Sequence, residues 1–315
     1  MKKSRYPKLT FENINTGSIK TRSSKVNTSL CTQPVSANDS VAKLLQSIPD
    51  ILAGKDFKNF IKAARHTIAT KNSFILMMGA HAIKCGLTPH LIRLLQKGII
   101  SHLALNGACA IHDIELAMWG KTSEEVGPAL QDGSFGMCRE TADFINLSLR
   151  DNKDNDLGYG ECLAEQLSAC TPPHADTSLI HNCLQQNVPF SIHSALGTEI
   201  IHQHPSLDGA AFGAKSLLDF QLFTRSLTSL TKESIVINLG SSVIMPEIFL
   251  KALTVVRNLG YPARGFTAAV FDMLRHYRPA ENVQRRPTKP DGQGYYFLGH
   301  MEIMLPLVCA LLNAD

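Results

Sequence analysis

The sequence is short of charge. Asp, Glu, Lys and Arg make up 18% of its 315 residues, against roughly 25% in an ordinary soluble domain. A surface with so few charges is often one partly covered by another subunit, so the composition points to an oligomer. Long apolar runs are also missing. None approaches the ~18–20 residues that cross a bilayer, and no membrane partner is expected. The basic start MKKSRYPKLTF has no apolar signal core behind it, which argues against secretion. Cysteine is present but unpatterned. The eight, at Cys31, Cys85, Cys109, Cys138, Cys162, Cys170, Cys183 and Cys309, form no CxxC pair and no regular framework; they read as reduced thiols of a cytoplasmic protein. A net charge of +4, from 31 basic and 27 acidic residues, is too small to imply nucleic acid.

What is there has the grammar of a parallel sheet. Residues 1–40 are polar, rich in Ser, Thr and Asn, and carry seven of the basic residues from Lys2 to Lys25; they read as an extended N-terminal arm. Residues 41–315 read as one domain. A helical stretch is predicted over Ser40–Thr70, from the spacing of Val41, Leu44, Leu45, Ile48, Ile51 and Leu52. The apolar run Phe74–Met78 ends at Gly79, and a helix over Pro89–Lys97 is stopped by Gly98. The run Ile99–Leu105 ends at Asn106-Gly107, with a helix from about Asp113. Strand, glycine turn and helix in alternation indicate an α/β domain of three layers with a mainly parallel sheet. Arg150–Ser178, rich in Asp, Asn, Gly and Pro, reads as a break or excursion. The pattern resumes with a strand at Val188–His193, a helix across Ser216–Ser229, a strand at Ile235–Leu239, a helix at Pro246–Asn258 and an apolar terminal helix at Ile303–Leu312. No repeat of fixed period is visible.

In such a sheet, ligands sit beyond the carboxyl ends of the strands. Three predicted strand ends are marked by glycine: Gly79-Ala80-His81, Asn106-Gly107 and Gly240-Ser241-Ser242. Each is either a tight connection or a place where backbone amides hold phosphate oxygens. None matches GxGxxG or the phosphate loop GxxxxGK[ST]. Polar groups gather at the same ends: His81; His112, Asp113 and Glu115; Thr198 and Glu199; Asp208-Gly209; Glu247; and His300 with Glu302. His193, His202, His204 and Asp208 make a possible metal set, since histidines and a carboxylate can hold zinc. Cys109 stands at a helix start, where a thiol can be acidified or simply buried. The loop Arg285–Gly292 carries Lys289, either as a solvated turn or as a packed basic loop.

Several of these segments, in this order, resemble the deoxyhypusine synthase family, and most closely a bacterial deoxyhypusine-synthase-like branch. They are MMGAHAIKCGLTPHLI, LALNGACAIHDIELAMWGKTSEEV, DGSFGM, IIHQHPSLDGAAFG, LGSSVIMPEIFLKAL and GYYFLGHMEIMLP, and the resemblance runs from about Ser47 to the C-terminus. It implies an NAD-binding fold assembled as a homotetramer, and an enzyme that oxidises a polyamine-type substrate and passes an aminobutyl group through a lysine imine. Carried across by position, the cofactor-binding residues are Gly79, Ala80, His81, Asn106, Gly107, Asp208, Gly209, Gly240, Ser241 and Ser242. The departures are as specific as the matches. The family's Trp-Gly-Lys is absent from its late position in the chain, where Lys289 is the nearest lysine. A second acid falls near Ala214, a histidine pair reads Pro246-Glu247, and an alanine-aspartate pair falls on Gly299 and His300.

The expectation is therefore an NAD-dependent enzyme that transfers or oxidises an amine through an imine, without literal deoxyhypusine synthesis. Its catalytic candidates are His300, Glu302, Glu247 and Lys289, its partners a small-molecule amine and further copies of itself. Alternatives are a metal-dependent hydrolase built on His193, His202, His204 and Asp208, and a non-catalytic nucleotide-binding protein.

Overall fold

A computed structural model describes residues 2–313; Met1, Ala314 and Asp315 lie outside the described residues. Residues 2–40 are exposed apart from the partly covered Leu30 and Asp39, and carry one short 3-10 turn at Thr28–Leu30. Helix α1 (Val41–Ser47) starts at Ser40, whose hydroxyl accepts the Lys43 amide. The single helical stretch read over Ser40–Thr70 is two helices, α1 and α2 (Leu52–Ala69). Pro49 explains the interruption: the residue before proline is pushed out of helical geometry, and Ile48 is extended at φ −61°, ψ 135°.

From there the chain alternates. Strand β1 (Phe74–Met78) leads to α3 (His81–Lys84) and α4 (Thr88–Gln96). Strand β2 (His102–Asn106) leads to α5 (Gly107–Trp119), α6 (Val126–Asp132), α7 (Arg139–Asp151), α8 (Tyr159–Cys170) and α9 (Leu179–Gln185). Strand β3 (Phe190–His193) is followed by α10 (Gly209–Leu227), β4 (Ile235–Leu239) by α11 (Ile244–Asn258), and β5 (Thr267–Asp272) by α12 (Tyr277–Pro279), which runs on into a π-helical turn over Ala280–Arg285. Strand β6 (Gln293–Leu298) and α13 (Met301–Leu312) complete the order. All strand pairs are parallel, in the spatial order β3-β2-β1-β4-β5-β6. The chain reverses its direction of travel across the sheet between β1 and β4, which is where α/β sheets open a crevice for ligands.

The continuous run Phe74–Met78 is apolar on both sides because helices cover both faces of the sheet. Ile75 and Met77 pack with Val236, Val270 and the α10 and α11 side chains Phe223 and Phe249. Phe74, Leu76 and Met78 join Leu103, Leu105, Ile237, Phe271 and the helices α2, α4 and α13 on the opposite face. The predicted excursion Arg150–Ser178 contains α8, whose Tyr159, Cys162, Leu163 and Leu167 are fully buried. Two strands were without a sequence signal. The alanines of β5 give little hydrophobic contrast, and β6 is an edge strand fully buried only at Phe297. Among the described residues no helix is long and apolar enough to cross a membrane.

Candidate functional site

The ends of β1 and β4 meet at the reversal point. The Gly79 amide donates to the Leu239 carbonyl and the Gly240 amide to the Phe271 carbonyl, both at 2.9 Å. A Cβ on Gly79 would lie 2.5 Å from the Gly240 carbonyl oxygen, and Gly240 itself has φ +62°. Only glycines allow this approach. Beyond it the chains part, β1 into α3 on one face and β4 into α11 on the other. Ser241 is held by the Asn238 amide at 2.9 Å on its carbonyl, and its hydroxyl accepts the Met245 amide at 3.2 Å. The starts of α5 and α11 stand at this edge, where first-turn amides have no partner inside their own helix.

Several predicted residues come together here. His81 opens α3, Cys85 follows its last turn, and Glu302 lies in the first turn of α13. Their ligating atoms are all within 4.8 Å of one another, and Cys85 Sγ is 3.4 Å from His81 Nε2. Burial, with the Glu302 charge adding to it, raises the Cys85 thiol above its ordinary pKa. His300 caps α13; its carbonyl accepts the Ile303 and Met304 amides at 3.1 and 3.0 Å, and its ring is exposed. Gly79, Ala80, His81, Gly240, Ser241, Ser242, His300 and Glu302 thus share the crevice. Asn106 and Gly107 lie one strand away at the start of α5, where Asn106 Oδ1 caps the helix by accepting the Cys109 amide at 3.0 Å. That helix starts at Gly107, six residues earlier than expected, and carries Cys109 into the core with its thiol pKa pushed well up by burial. Asp208 caps α10, taking the Ala210 and Ala211 amides at 2.9 and 3.1 Å, with Gly209 exposed behind it.

Other candidates do not join the crevice. Glu247 pairs with Lys251, with Arg278 at 3.2 Å and with the Asn282 amide at 2.9 Å. The Lys251 hydrogen bond, with Arg278 adding its charge, holds its carboxyl below the usual range. It is a saturated anion facing the α12 segment, not a free acid for a cationic substrate. Lys289 is at the wrong end of the sheet. Its turn precedes β6, a Cβ on the nearby Gly292 would meet the Phe266 carbonyl just before β5, and Arg257 donates to the Pro287 carbonyl at 3.0 Å. With β5 and β6 parallel, a strand of this length puts Lys289 about 20 Å from the carboxyl ends. The proposed metal set is scattered too. His193 is buried on Ser191, His202 Nδ1 accepts the Gly197 and Glu199 amides at 3.1 Å, His204 Nε2 donates to the Gly136 carbonyl at 2.7 Å, and Asp208 caps α10 through Oδ1. Among the described residues, His81, Cys85 and Glu302 are the group of three that converges instead.

Beside the crevice opens a cleft of about 720 Å³. Lys84 from α3 and Ala108 from the first turn of α5 form its inner wall, and Trp119, Phe135 and Ile200 supply apolar surface. Its carboxylates are Glu115, Glu124, Glu140 and Glu199, its lysines Lys84 and Lys121. Glu199 lies against Gly107, where a Cβ would be 2.6 Å from Glu199 Oε1. Burial raises its pKa. His112 and Glu115, three residues apart on one face of α5, are joined through Thr122: His112 Nδ1 is 2.6 Å from Thr122 Oγ1, and that hydroxyl donates to Glu115 Oε2. Thr141 donates to Glu115 Oε1 at 2.9 Å. Burial pushes the Glu115 carboxyl up, but hydrogen bonds from His112, Thr122 and Thr141 outweigh it and hold the group below its ordinary value. A hydroxyl that donates to Glu115 can only accept from His112, so Nδ1 carries a proton and, in the neutral imidazole, Nε2 is the nitrogen with the lone pair. This is the arrangement of a general base oriented by a carboxylate through a hydroxyl. Asp113, next to His112 in sequence, points elsewhere. It accepts from Ser178 and from the Leu179 and Ile180 amides, and burial raises its pKa to about 6. The sequence reading noted His112, Glu115 and Glu199 but gave them no role. The three-residue spacing of His112 and Glu115, which puts both on one helix face, was the available signal; Thr122 and Thr141 had none.

No family model matches the chain, and no curated protein matches it in sequence. Solved structures do share its fold. The ternary complex of AgrE with ornithine and NAD+ aligns at a TM-score of 0.52 and 16% identity, over 81% of this chain and 32% of that one. Unliganded AgrE aligns at 0.52 and 15%, over 89% and 34%. A candidate deoxyhypusine synthase from Entamoeba histolytica aligns at 0.50 and 12%, over 87% of this chain and 93% of that one. The chain therefore has a deoxyhypusine-synthase-like α/β fold, one that also occurs in NAD-binding proteins. It spans about a third of the AgrE chain.

Proposed function

We propose that this protein is an NAD-dependent enzyme that oxidises or transfers an amine group through an imine, with the amine bound in the cleft beside the crevice. The observation that carries this is the cleft itself: four carboxylates against two lysines, an aromatic wall, and a histidine whose Nε2 is free to accept a proton. Neighbouring folds add context, since AgrE is known with NAD+ and ornithine together.

The crevice fits the phosphates of a dinucleotide. A glycine with positive φ, small residues at Ser241 and Ser242, and the start of the 15-residue α11 leave backbone amides open at the reversal point. When bound there, NAD supplies the hydride acceptor. The protein's own residues do the rest. Glu199, Glu124 and Glu140 attract and orient a cationic chain, and Trp119 covers its methylene groups. His112 Nε2 takes the proton from the amine while its α-carbon gives up hydride, leaving a C=N bond on the substrate. Glu115, acting through Thr122, keeps the imidazole in the accepting tautomer. Lys84 and Lys121 are the amines placed to receive the group by attack on that carbon, with the nitrogen of the C=N bond taking up a proton and leaving as the free amine. A homotetramer belongs to this reading. Met273, Leu274, Tyr277, Leu298 and Ile303 are exposed apolar side chains near the carboxyl ends of β5 and β6, a surface suited to self-association.

Calorimetry with NAD and the folded protein is the first test, with saturable binding expected and no heat at millimolar NAD as the contrary result. Incubation with NAD and a panel of di- and polyamines, followed by absorbance and by mass spectrometry of the products, tests the chemistry. Glu199→Gln should raise KM roughly tenfold through the loss of a charge-assisted contact; unchanged KM would remove the amine from the cleft.

A further inference from the structure

His81, Cys85 and Glu302 form a donor set that the dinucleotide reading does not use as a set. His81 and Cys85 are four residues apart, one helical turn, so they face the same way, and Glu302 reaches them from α13. His81 and Cys85 are half-buried and Glu302 is exposed. Among the described residues, Glu302 makes no hydrogen bond or ion pair to a Lys or Arg side chain, and its carboxylate would repel a Cys85 thiolate unless a cation lay between them. A divalent cation would reconcile the two.

The geometry also suits one. Zinc binds imidazole at roughly 2.0–2.1 Å and thiolate at roughly 2.3 Å, so a tetrahedral ion holds the two atoms about 3.5 Å apart. The observed separation of Cys85 Sγ and His81 Nε2 is 3.4 Å. Imidazole, thiolate and carboxylate together suit zinc-class ions and not magnesium or calcium, which take oxygen donors. We propose that His81, Cys85 and Glu302 bind a zinc-class divalent metal ion, with a fourth coordination position open to the crevice. Three protein ligands and one open position are the pattern of a catalytic zinc and not of a closed structural one. Binding displaces the Cys85 proton to solvent, leaving the thiolate on the metal. The site is next to the Gly240 turn, since a Cβ on Gly240 would lie 3.9 Å from His81 Cβ and 3.1 Å from Met301 Cε. An ion there can polarise whatever oxygen or nitrogen enters the crevice. The inference does not rest on NAD or on an amine substrate, because it is read with the metal alone.

The test titrates the metal-free full-length chain with cobalt(II). One equivalent should bind per chain, with the visible bands of a four-coordinate site and a thiolate charge-transfer band in the near ultraviolet, and zinc should bleach both. Cys85→Ser should abolish the charge-transfer band, while His81→Ala and Glu302→Gln should weaken binding about tenfold or more. The exposed Cys31, Cys138 and Cys170 are the decoys; replacing all three by serine should leave the spectrum intact. X-ray absorption of the zinc-loaded wild type should find one sulfur among otherwise N/O ligands, which keeps the test valid if a variant fails to fold. Absence of stoichiometric binding by folded protein, a spectrum without the thiolate band, or a band that survives Cys85→Ser overturns the site.

Discussion

Two chains of histidine and hydroxyl run through this molecule, and they differ in how they end. One is sealed. Ser226, His102, Ser191 and His193 link α10, β2 and β3 at 2.8–2.9 Å, with His102 and His193 fully buried against Phe223. Burial drives both imidazoles down to a pKa of about 3, and His102 is lowered further by His193. The other chain is open. His112, Thr122 and Glu115 end on a carboxylate at one side and on a cleft of about 720 Å³ at the other. Both have the short hydrogen bonds associated with active sites. Only the second has an anion to stabilise a proton taken up at its far nitrogen, and a space from which to take it. The sealed chain has hydroxyls where a carboxylate would be needed, so it can only stay neutral; its role is to tie an edge strand to its neighbour and to α10.

Acid titration exposes the largest difference. A histidine held near pKa 3 when folded, but titrating near 6.5 when unfolded, binds more protons in the unfolded chain below pH 6.5. Its contribution is complete above 6.5 and is lost as pH falls toward 3. For the pair, the loss is on the order of several kcal/mol. Two buried aspartates run the other way. Burial raises Asp113 to about 6 and Asp219 to about 7, so their protonated forms favour the fold in acid and that support is lost as pH rises from about 4 through those values. Denaturant unfolding between pH 5 and 8, above the range where a depressed carboxylate such as Glu115 would contribute, should show an acid limb that His193→Gln makes shallower and Glu115→Gln leaves unchanged. An acid limb indifferent to His193 would put the titrating groups elsewhere.

Glu115→Gln makes the second comparison, in the open chain. The amide can donate to Thr122 as well as accept from it, so the hydroxyl no longer dictates which imidazole nitrogen of His112 carries the proton. Turnover should fall about 100-fold with KM little changed, and the pH dependence of kcat should shift. Nitrogen NMR of His112 reads the same event without substrate: a single Nδ1–H tautomer in the wild type should become a mixture. Stability should change by less than about 1 kcal/mol. A drop in stability with the tautomer unchanged would make Glu115 a structural residue.

The uneven legibility of the sequence follows from where contrast lies. Phe74–Met78 and Ile235–Leu239 were visible because a doubly covered strand is an unbroken apolar run with a glycine at its end. Strand β5 hides behind alanines, and β6 behind the mixed burial of an edge. Arg150–Ser178 looked like an excursion because turn-forming residues at both ends masked the buried face of α8. In the site, residues adjacent to glycine turns were legible: Gly79, His81, Gly240, Ser241, His300 and Glu302 do meet at one crevice. Groups that meet only through tertiary structure were not. Glu199, Thr122 and Thr141 reach the cleft from three separate segments, and no spacing in one segment announces them. A carboxylate at a helix start is equally a substrate ligand or a partner for amides and lysines: Glu247 is taken up by Lys251, Arg278 and Asn282, while Asp208 caps α10 through one oxygen.

Lys289 carries the smallest expected effect and the cleanest discrimination between the two ends of the sheet. It lies before β6, beside Pro287, whose carbonyl accepts from Arg257, and Gly292, which packs against the Phe266 carbonyl, while the crevice lies past the carboxyl ends of β1 and β4. Lys289→Ala should therefore leave NAD binding, amine turnover and stability unchanged, the last within about 0.5 kcal/mol as for an exposed side chain. Borohydride reduction during turnover should trap a substrate imine on Lys84 or Lys121, read by peptide mass, and leave Lys289 unmodified. Trapping on Lys289 instead would require a partner subunit to bring its amino edge to this crevice, and would move the surface proposed for self-association from the ends of β5 and β6 to the start of β6.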